Sequence, residues 1–339
     1  MPAPEAEPAL DAAERLVTEG RLVEAVDHLV RANRAVPDPD VAVRLVDLRY
    51  AAARALEGQA GRASWPPRYA DPFPDVVGRL PEIAAGELTA EVLGGAVAHH
   101  GALLLRGLFD AGAVERSVAA ILRAQAARDA ADPGGDGGPW YRPFPDPGTG
   151  GMGLRRMVAE QGGTWLADSP SSTAQFLDDL EAAGVVSAIA EHFGERPFFS
   201  LQKSTLRRSA PVYRPADWHQ DGSFLDEDVR TMNVWVALSP CGGDHPTPGL
   251  EIVPKRVPDV LPVGGSFAKH GIAGDLVAEV ARDAPPIRPE FAPGDALMFD
   301  ERFLHRTHLS PDMTDDRYAL ECWFFAPSHP ASSYVSLLV

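Results

Sequence analysis

The sequence predicts an α+β chain, mostly β in its second half, whose core is an antiparallel double-sheet barrel of the jelly-roll type buttressed by helices. Two observations support this fold class. Residues 9–129 contain several stretches with apolar residues at helical spacing, and the chain from Phe198 onward consists of short β-type runs separated by Pro and Gly. Helices followed by many short strands with turn signals between them are typical of such a barrel.

The first helical stretch predicts an N-terminal helical hairpin. Apolar residues follow helical spacing over residues 9–58, and the two helices break at Pro37-Asp38-Pro39. Several small and apolar positions resemble one tetratricopeptide repeat: Leu16, Gly20, Ala25, Ala32 and Pro37. Because a single repeat cannot bury its own face, we expect the hairpin to dock on the rest of the chain, with a protein-binding arm as the alternative. The expected domains are therefore the hairpin, residues 1–60, and a main domain, residues 61–339.

A Pro-rich link over residues 65–74 leads into the main domain. Residues 88–98 and 110–129 predict helices, and residues 101–107 predict a short buried strand between them. The following stretch, residues 132–153, is too rich in Gly and Pro to be a core element. A loop of this length inside a compact domain is usually an active-site lid or a disordered segment, and both interpretations remain open.

Six short runs in the second half of the chain predict strands. They are residues 198–207, 231–238, 250–253, 296–299, 303–308 and 318–325. In the second run, Asn233, Trp235 and Ala237 share one strand face, and the residues between them share the other. Both faces carry apolar residues, so either of them could look inward.

Composition and charge exclude several classes of partner. The formal charge of -17 comes from 48 acidic and 31 basic residues, and no basic run tracks a phosphate backbone. Cys241 and Cys322 lie far apart and predict neither a disulfide framework nor a zinc site. The N-terminus lacks the features of a signal peptide, and no run reaches the roughly 18 apolar residues of a membrane span. We therefore expect a cytoplasmic protein that binds a small molecule, and neither nucleic acid nor a membrane.

His219 and Asp221 form a His-x-Asp pair. On an extended chain, residues two apart point to the same face, so an imidazole nitrogen and a carboxylate oxygen can share one metal ion. Because about one such pair is expected by chance, it becomes a signal only with a third ligand. His305 and His308 compete for that place, and their odd spacing points them to opposite faces of a strand. The position relative to Phe299 favours His305.

Two histidines and one carboxylate leave three positions open on Fe(II), which suits a bidentate oxo-acid and O2. Arg317 follows on the next predicted strand, where its guanidinium can form a forked pair with the distal carboxylate of the oxo-acid. The alternative for Arg317 is an ordinary salt bridge to one of three nearby acidic residues: Asp315, Asp316 or Glu321.

Four segments together resemble the phytanoyl-CoA dioxygenase family of iron and 2-oxoglutarate oxygenases: Trp218–Asp221, Asn233–Leu238, Pro248–Pro254 and Gly294–Arg317. The resemblance spans residues 85–327 in the family's order and spacing. It implies a double-stranded β-helix (jelly-roll, cupin-like) core. It also implies the oxidation of a small organic molecule by Fe(II), 2-oxoglutarate and O2, with release of succinate and CO2.

The resemblance also implies roles for single residues. Three residues match the family's metal ligands: His219, Asp221 and His305. Four match positions that contact 2-oxoglutarate: Arg317, Thr307, Trp235 and Gln202. Arg317 matches the arginine that binds the 5-carboxylate, and Thr307 matches a hydroxyl donor to that same group. The chain departs from the family where Lys255-Arg256 follows Pro254 in place of Gly-Ser-His, so no substrate contact is transferred from that turn.

The same ligands leave the reaction open. Asp221 favours hydroxylation over halogenation, because a halogenase needs a small residue there to make room for halide on the iron. Desaturation, ring closure or demethylation would use the same three ligands. Two other classes of function are considered: a scaffold or binding protein that has lost catalysis, and a zinc or manganese hydrolase, which would need a general base beside the metal.

Overall fold

The computed structural model describes residues 6–59, 61, 64–131, 135–145, 151–212, 217–225, 228–264 and 271–339. Residues 132–134 and 146–150 of the predicted lid or disordered loop lie outside the described residues. Among the residues that are described, no helix is both long enough and apolar enough to cross a bilayer.

The N-terminal segment forms three helices: α1 (Ala6–Thr18), α2 (Leu22–Ala35) and α3 (Pro39–Leu56). The predicted break at Pro37 to Pro39 is confirmed, and the Asp38 carboxylate caps α3 by accepting the backbone N–H groups of Asp40 and Val41. The sequence predicted two helices, and the extra break falls at Gly20. Its φ of +75° lies in the left-handed region, where glycine readily ends a helix.

The N-terminal helices pack against the β-sheet. Their apolar core includes Phe198 and Leu338 from two strands of the main sheet. The buried guanidinium of Arg49 in α3 donates a 2.6 Å hydrogen bond to the backbone carbonyl of Leu338. The expected docking of this segment on the rest of the chain is therefore present.

Six further helices follow in the described ranges: α4 (Ala90–His100), α5 (Ala111–Ala130), α6 (Gly151–Glu160), α7 (Pro170–Ala182), α8 (Val185–Phe193) and α9 (Gly274–Val280). The helices predicted at 88–98 and 110–129 are confirmed as α4 and α5. Thr89 caps α4 and Asp110 caps α5 through their side-chain oxygens, so local sequence fixes where both helices begin.

Within the part of the chain that is described, the main sheet has nine strands: β1 (Glu82–Ala84), β2 (Ala102–Arg106), β3 (Gly163–Trp165), β4 (Phe198–Ser200), β5 (Thr205–Ser209), β6 (Thr231–Ala237), β8 (Ala296–Phe299), β10 (Arg317–Phe325) and β11 (Ser336–Leu338). Their order is β1-β2-β8-β6-β10-β4-β11, and β5 pairs with both β10 and β3. The sheet is mixed, because β1 and β2 pair in parallel while the other pairs are antiparallel.

A second, smaller sheet joins β7 (Gly249–Ile252) to β9 (His305–His308) in antiparallel register. Two isolated bridges extend it: His219 pairs with His305, and Ile287 pairs with Ile252. Four chain segments therefore lie side by side, and the register brings two distant histidines next to each other.

The main sheet buries its two faces differently. One face carries Val234 and Val236 of β6 and packs into the apolar core shared with the helices. The other face carries Trp235 and Ala237, which pack with Leu250 of the second sheet. The structure therefore answers the question that the sequence left open: the face with Asn233 and Trp235 looks toward the smaller sheet.

A buried ion pair between Arg155 and Asp168 stabilises the described part of the chain between α5 and α7. The fully buried carboxylate of Asp168 accepts a 2.6 Å hydrogen bond from Arg155 Nε and a 2.8 Å hydrogen bond from the Phe144 backbone. We expect Asp168→Asn to lower the free energy of unfolding by about 3–5 kcal/mol, because Arg155 would lose its charged partner. Urea denaturation measures the change.

The matched control for that substitution is Glu160→Gln, which breaks a solvent-exposed ion pair between Glu160 and Arg156. Both residues lie in α6, the helix that also contains Arg155. An exposed pair of this kind contributes about 0.3–0.5 kcal/mol. Equal effects of the two substitutions would contradict the view that Asp168 anchors this part of the chain.

Candidate metal centre

Three side chains converge at the edge of the smaller sheet. One ligand atom of each of His219, Asp221 and His305 lies within 4.8 Å of the others, which is close enough for all three to bind one metal ion. We call these residues the metal centre. Backbone hydrogen bonds of 3.0 and 3.1 Å hold His219 against His305. Asp221 begins a short 3-10 turn, which the Gly222 N–H fixes to the carbonyl of Glu301 at 2.8 Å.

Both imidazoles of the metal centre are oriented by backbone carbonyls. Nδ1 of His219 lies 3.1 Å from the carbonyl oxygen of Asp217, and Nδ1 of His305 lies 3.0 Å from that of Phe303. Because a carbonyl oxygen can only accept, each Nδ1 carries the proton. This tautomer leaves Nε2 of both rings free to coordinate a metal ion.

Because the metal centre is buried, the charged forms of its three side chains are unfavourable until a cation binds. Burial lowers the pKa of His219 to about 4 and holds the pKa of His305 below its ordinary value. It raises the pKa of Asp221 to about 7. The Asp221 carboxylate accepts a hydrogen bond from the side-chain amide of Asn233. Two neutral imidazoles beside a buried carboxylate fit a divalent metal ion, whose charge would offset the cost of desolvating Asp221.

The metal centre borders a cavity of about 590 Å³ that lies between the two sheets. Its wall includes His219 and His305 together with residues from the inward faces of the strands. Those residues include Arg207, Asn233, Trp235, Thr307, Arg317 and Glu321. A ligand in this cavity can therefore reach a bound metal ion and several polar side chains at once.

Arg317 is buried, yet no acidic side chain among the described residues pairs with it. Its guanidinium donates hydrogen bonds of 3.3 Å to the carbonyl of Gly249 and 3.1 Å to the hydroxyl of Ser209. It lies 5.4 Å from the ring centre of Trp235, and Nε has no acceptor among the described residues. Burial lowers the pKa of Arg317 to about 10, so the group remains a cation at neutral pH.

The salt bridges considered for Arg317 are absent among the described residues. Asp316 pairs with Arg208 at 2.6 Å, and Glu321 pairs with Arg207 at 3.0 Å. A buried cation that faces a cavity without a compensating carboxylate is costly unless an anion binds there. Arg317 therefore fits the carboxylate end of an acidic ligand.

The other predicted residues fall into two groups. Trp235 and Thr307 line the cavity with the metal centre, while Gln202 does not. The Gln202 side-chain oxygen accepts a 2.9 Å hydrogen bond from the backbone of Val335, so its contact with an oxo-acid stays a prediction. His305, Thr307 and Leu309 line the cavity at every second position, whereas His308 is outside the lining, as the odd spacing predicted.

Sequence reasoning missed two cavity residues. Asn233 holds the Asp221 carboxylate, and Glu321 lies four residues after Arg317 on the same face of β10. The strand period could have found both of them. Asn233 shares a face with Trp235, and Glu321 was considered only as a partner for Arg317.

The chain matches no protein-family model and no curated protein. Among solved structures it is similar to EctD from S. alaskensis with 2-oxoglutarate and 5-hydroxyectoine, with 15% identity and a TM-score of 0.49 over 78% of this chain and 88% of that one. It is also similar to the non-heme alpha ketoglutarate dependent carbocyclase SnoK, with 15% identity and a TM-score of 0.46 over 72% of this chain and 86% of that one. A third is the epimerase SnoN in complex with Fe3+, alpha ketoglutarate and nogalamycin RO, with 15% identity and a TM-score of 0.44 over 70% and 83%. These likenesses are weak.

Proposed function

We propose that the protein is an Fe(II)- and 2-oxoglutarate-dependent dioxygenase that hydroxylates a small organic molecule, with release of succinate and CO2. The observation that carries the proposal is the buried guanidinium of Arg317, which lies in the same cavity as the metal centre and has no carboxylate partner in the part of the chain that the structure describes. A keto-diacid is the ligand that needs both features, because one end binds the metal ion and the other end carries a free carboxylate.

The protein's part in this reaction is to position and enclose the reactants. His219, Asp221 and His305 would hold Fe(II), which supplies open positions for the oxo-acid and for O2 and provides the redox chemistry. Arg317 and Thr307 would hold the distal carboxylate of 2-oxoglutarate. Two devices keep the metal ligands in place: backbone carbonyls orient both imidazoles, and the Asn233 amide holds the Asp221 carboxylate.

The fold and the domain division form part of the same proposal. Two facing sheets, with His219 beside β9 and Ile287 beside β7, support a double-stranded β-helix core like that of the phytanoyl-CoA dioxygenase family. Residues 61–339 would form the oxygenase domain, and residues 1–60 would form a docked helical appendage. The proposal includes an active-site lid at residues 132–153, because Ala159 and Glu160, which follow this segment at the end of α6, line the cavity.

The decisive experiment is anaerobic mixing of the protein with Fe(II) and 2-oxoglutarate. We expect a visible charge-transfer band, because the keto oxygen and the 1-carboxylate would chelate the metal ion. Succinate, which lacks the keto group, is the matched control ligand and should give no band, and His219→Ala should give none with either acid. A scaffold or a hydrolase would give no band with 2-oxoglutarate, and that result would refute the proposal.

Iron binding should weaken as the pH falls below neutral. Burial raises the pKa of Asp221 to about 7, so at lower pH an entering ion must displace one proton from this carboxyl group. The pKa of His219 is about 4, so this ring stays neutral and does not add to the effect until the solution is much more acidic. The Fe(II) dissociation constant should rise about tenfold for each pH unit below 7 and level off above it. Anaerobic titrations at several pH values measure this slope, and a flat profile would contradict it.

A further inference from the structure

An ion pair lies beside the metal centre on the wall of the cavity. Arg207 of β5 and Glu321 of β10 both line the cavity, and their side chains pair at 3.0 Å. The Glu321 carboxylate also accepts hydrogen bonds of 3.1 Å from Thr205 and 3.3 Å from the indole of Trp323. Burial favours the neutral acid, but the charge of Arg207 and its hydrogen bond hold the pKa of Glu321 below its ordinary value. The pair is therefore fixed and charged.

Its position leaves this ion pair available to a second ligand. The side chains of Arg207 and Glu321 remain 20% and 26% exposed, and both open into the cavity. Arg317 lies four residues before Glu321 and would be occupied by the oxo-acid. The pair offers hydrogen-bond donors from Arg207 and acceptors from Glu321 at one place, which suits a hydroxyl group because it can donate and accept at once.

The charges on the described wall of the cavity balance when the oxo-acid is bound. Five charged residues line the described wall: Glu160, Arg207, Arg208, Arg317 and Glu321. All except Arg317 have an ionic partner, because Glu160 pairs with Arg156 and Arg208 with Asp316. Arg317 contributes one positive charge, and a divalent ion held by the Asp221 carboxylate contributes another. The two carboxylates of 2-oxoglutarate neutralise both of them.

Lys203 is a nearby cation that does not belong to the described wall. Its ammonium group lies 4.3 Å from the ring centre of Phe224 and 4.8 Å from that of Trp323, so the aromatic faces stabilise it there. A substrate that enters the loaded cavity therefore meets a described wall that has no net charge and that combines polar side chains with apolar ones such as Leu250 and Phe299.

Resting on the proposed function, we infer that the substrate is a net-neutral small molecule with a hydroxyl group that is recognised by the ion pair of Arg207 and Glu321. An anionic substrate would lie against Glu321, and the described wall of the loaded cavity offers no unpaired cation to receive it. A cationic substrate would lie against Arg207 and the metal ion. A hydroxylated neutral molecule satisfies both members of the pair without disturbing the charge balance.

Three sugars of similar size and different charge test this inference: D-glucose, D-glucuronate and D-glucosamine. The protein is loaded with diamagnetic Zn(II) and 2-oxoglutarate, and binding is measured by saturation-transfer NMR at neutral pH. We expect D-glucose to bind about tenfold more tightly than either charged sugar, which corresponds to one ionic mismatch of about 1.4 kcal/mol. Glu321→Gln should shift the preference to D-glucuronate, and Arg207→Gln should shift it to D-glucosamine.

Matched controls change the net charge far from the cavity. Asp283→Asn removes one negative charge from an exposed pair with Lys255, and Arg116→Gln removes one positive charge from a surface pair with Asp179. Both should keep the wild-type order of the three sugars. Because the wild-type order is itself a test, the inference does not depend on the folding of any variant.

The failures of the two proposals are distinguishable. The 2-oxoglutarate signal in the same NMR experiment comes first, and its absence would contradict the proposed function. A protein that binds 2-oxoglutarate but prefers a charged sugar, binds all three equally or binds none would overturn only the inference. The same order of sugars in wild type and in Glu321→Gln would overturn it as well.

Discussion

Replacing His305 with alanine should abolish tight Fe(II) binding, whereas replacing His308 should leave it intact. His305 contributes one of three ligand atoms that lie within 4.8 Å of one another, and His308 lies three residues later outside the cavity wall. Because the loss of groups that merely support a ligand costs about 10- to 100-fold in metal affinity, the loss of the ligand itself should cost at least about 100-fold. Anaerobic titration with Fe(II) measures the difference.

His308→Ala is the matched control because the two histidines share one short strand and the same residue type. Circular dichroism of both variants separates the loss of a ligand from the loss of the fold. If His308→Ala lost Fe(II) binding and His305→Ala retained it, the assignment of His305 as the third ligand would be wrong. Equal losses would show that the strand, and not one imidazole, supports binding.

The three residues of the metal centre could be singled out from the sequence because the His-x-Asp pair, a downstream histidine and the family resemblance occur together. Residues 219 and 221 lie two apart, and a strand period of two distinguishes His305 from His308. It could not be predicted in the same way that Arg317 forms no salt bridge with the acidic residues near it in the sequence. Three acidic residues lie close to it along the chain, and only tertiary structure assigns two of them, Asp316 and Glu321, to other arginines.

Other features depend on which face of an element is buried, and periodicity alone cannot decide this. Both faces of β6 are apolar, so Asn233 became identifiable as a support for Asp221 only once the smaller sheet was located. Gly20 shows a similar ambiguity. A glycine in a helical pattern can allow two helices to approach closely or can end a helix, and here its left-handed backbone ends α1.

Arg317→Gln should raise the dissociation constant of 2-oxoglutarate by about 30-fold to several thousand-fold, because a buried, charged partner of a carboxylate contributes about 2–5 kcal/mol to binding. The visible band of the iron complex reports the titration. Arg306→Gln is the matched control, since Arg306 lies in β9, the strand that carries His305 and Thr307, but pairs with Glu251 and is absent from the cavity lining. This control should bind 2-oxoglutarate as the wild type does.

Pyruvate separates the electrostatic role of Arg317 from a general effect on the cavity. It has the same keto-acid end as 2-oxoglutarate but lacks the distal carboxylate, so Arg317→Gln should weaken the binding of 2-oxoglutarate much more than the binding of pyruvate.

A purely structural role of Arg317 would give a different result. If Arg317 mainly supported the fold, its loss would lower the urea midpoint of the ligand-free protein and weaken both acids equally. If Arg317 serves instead to bind an anionic ligand, its replacement should leave the urea midpoint unchanged or raise it, because a buried cation is removed. The preference for 2-oxoglutarate over pyruvate should then disappear.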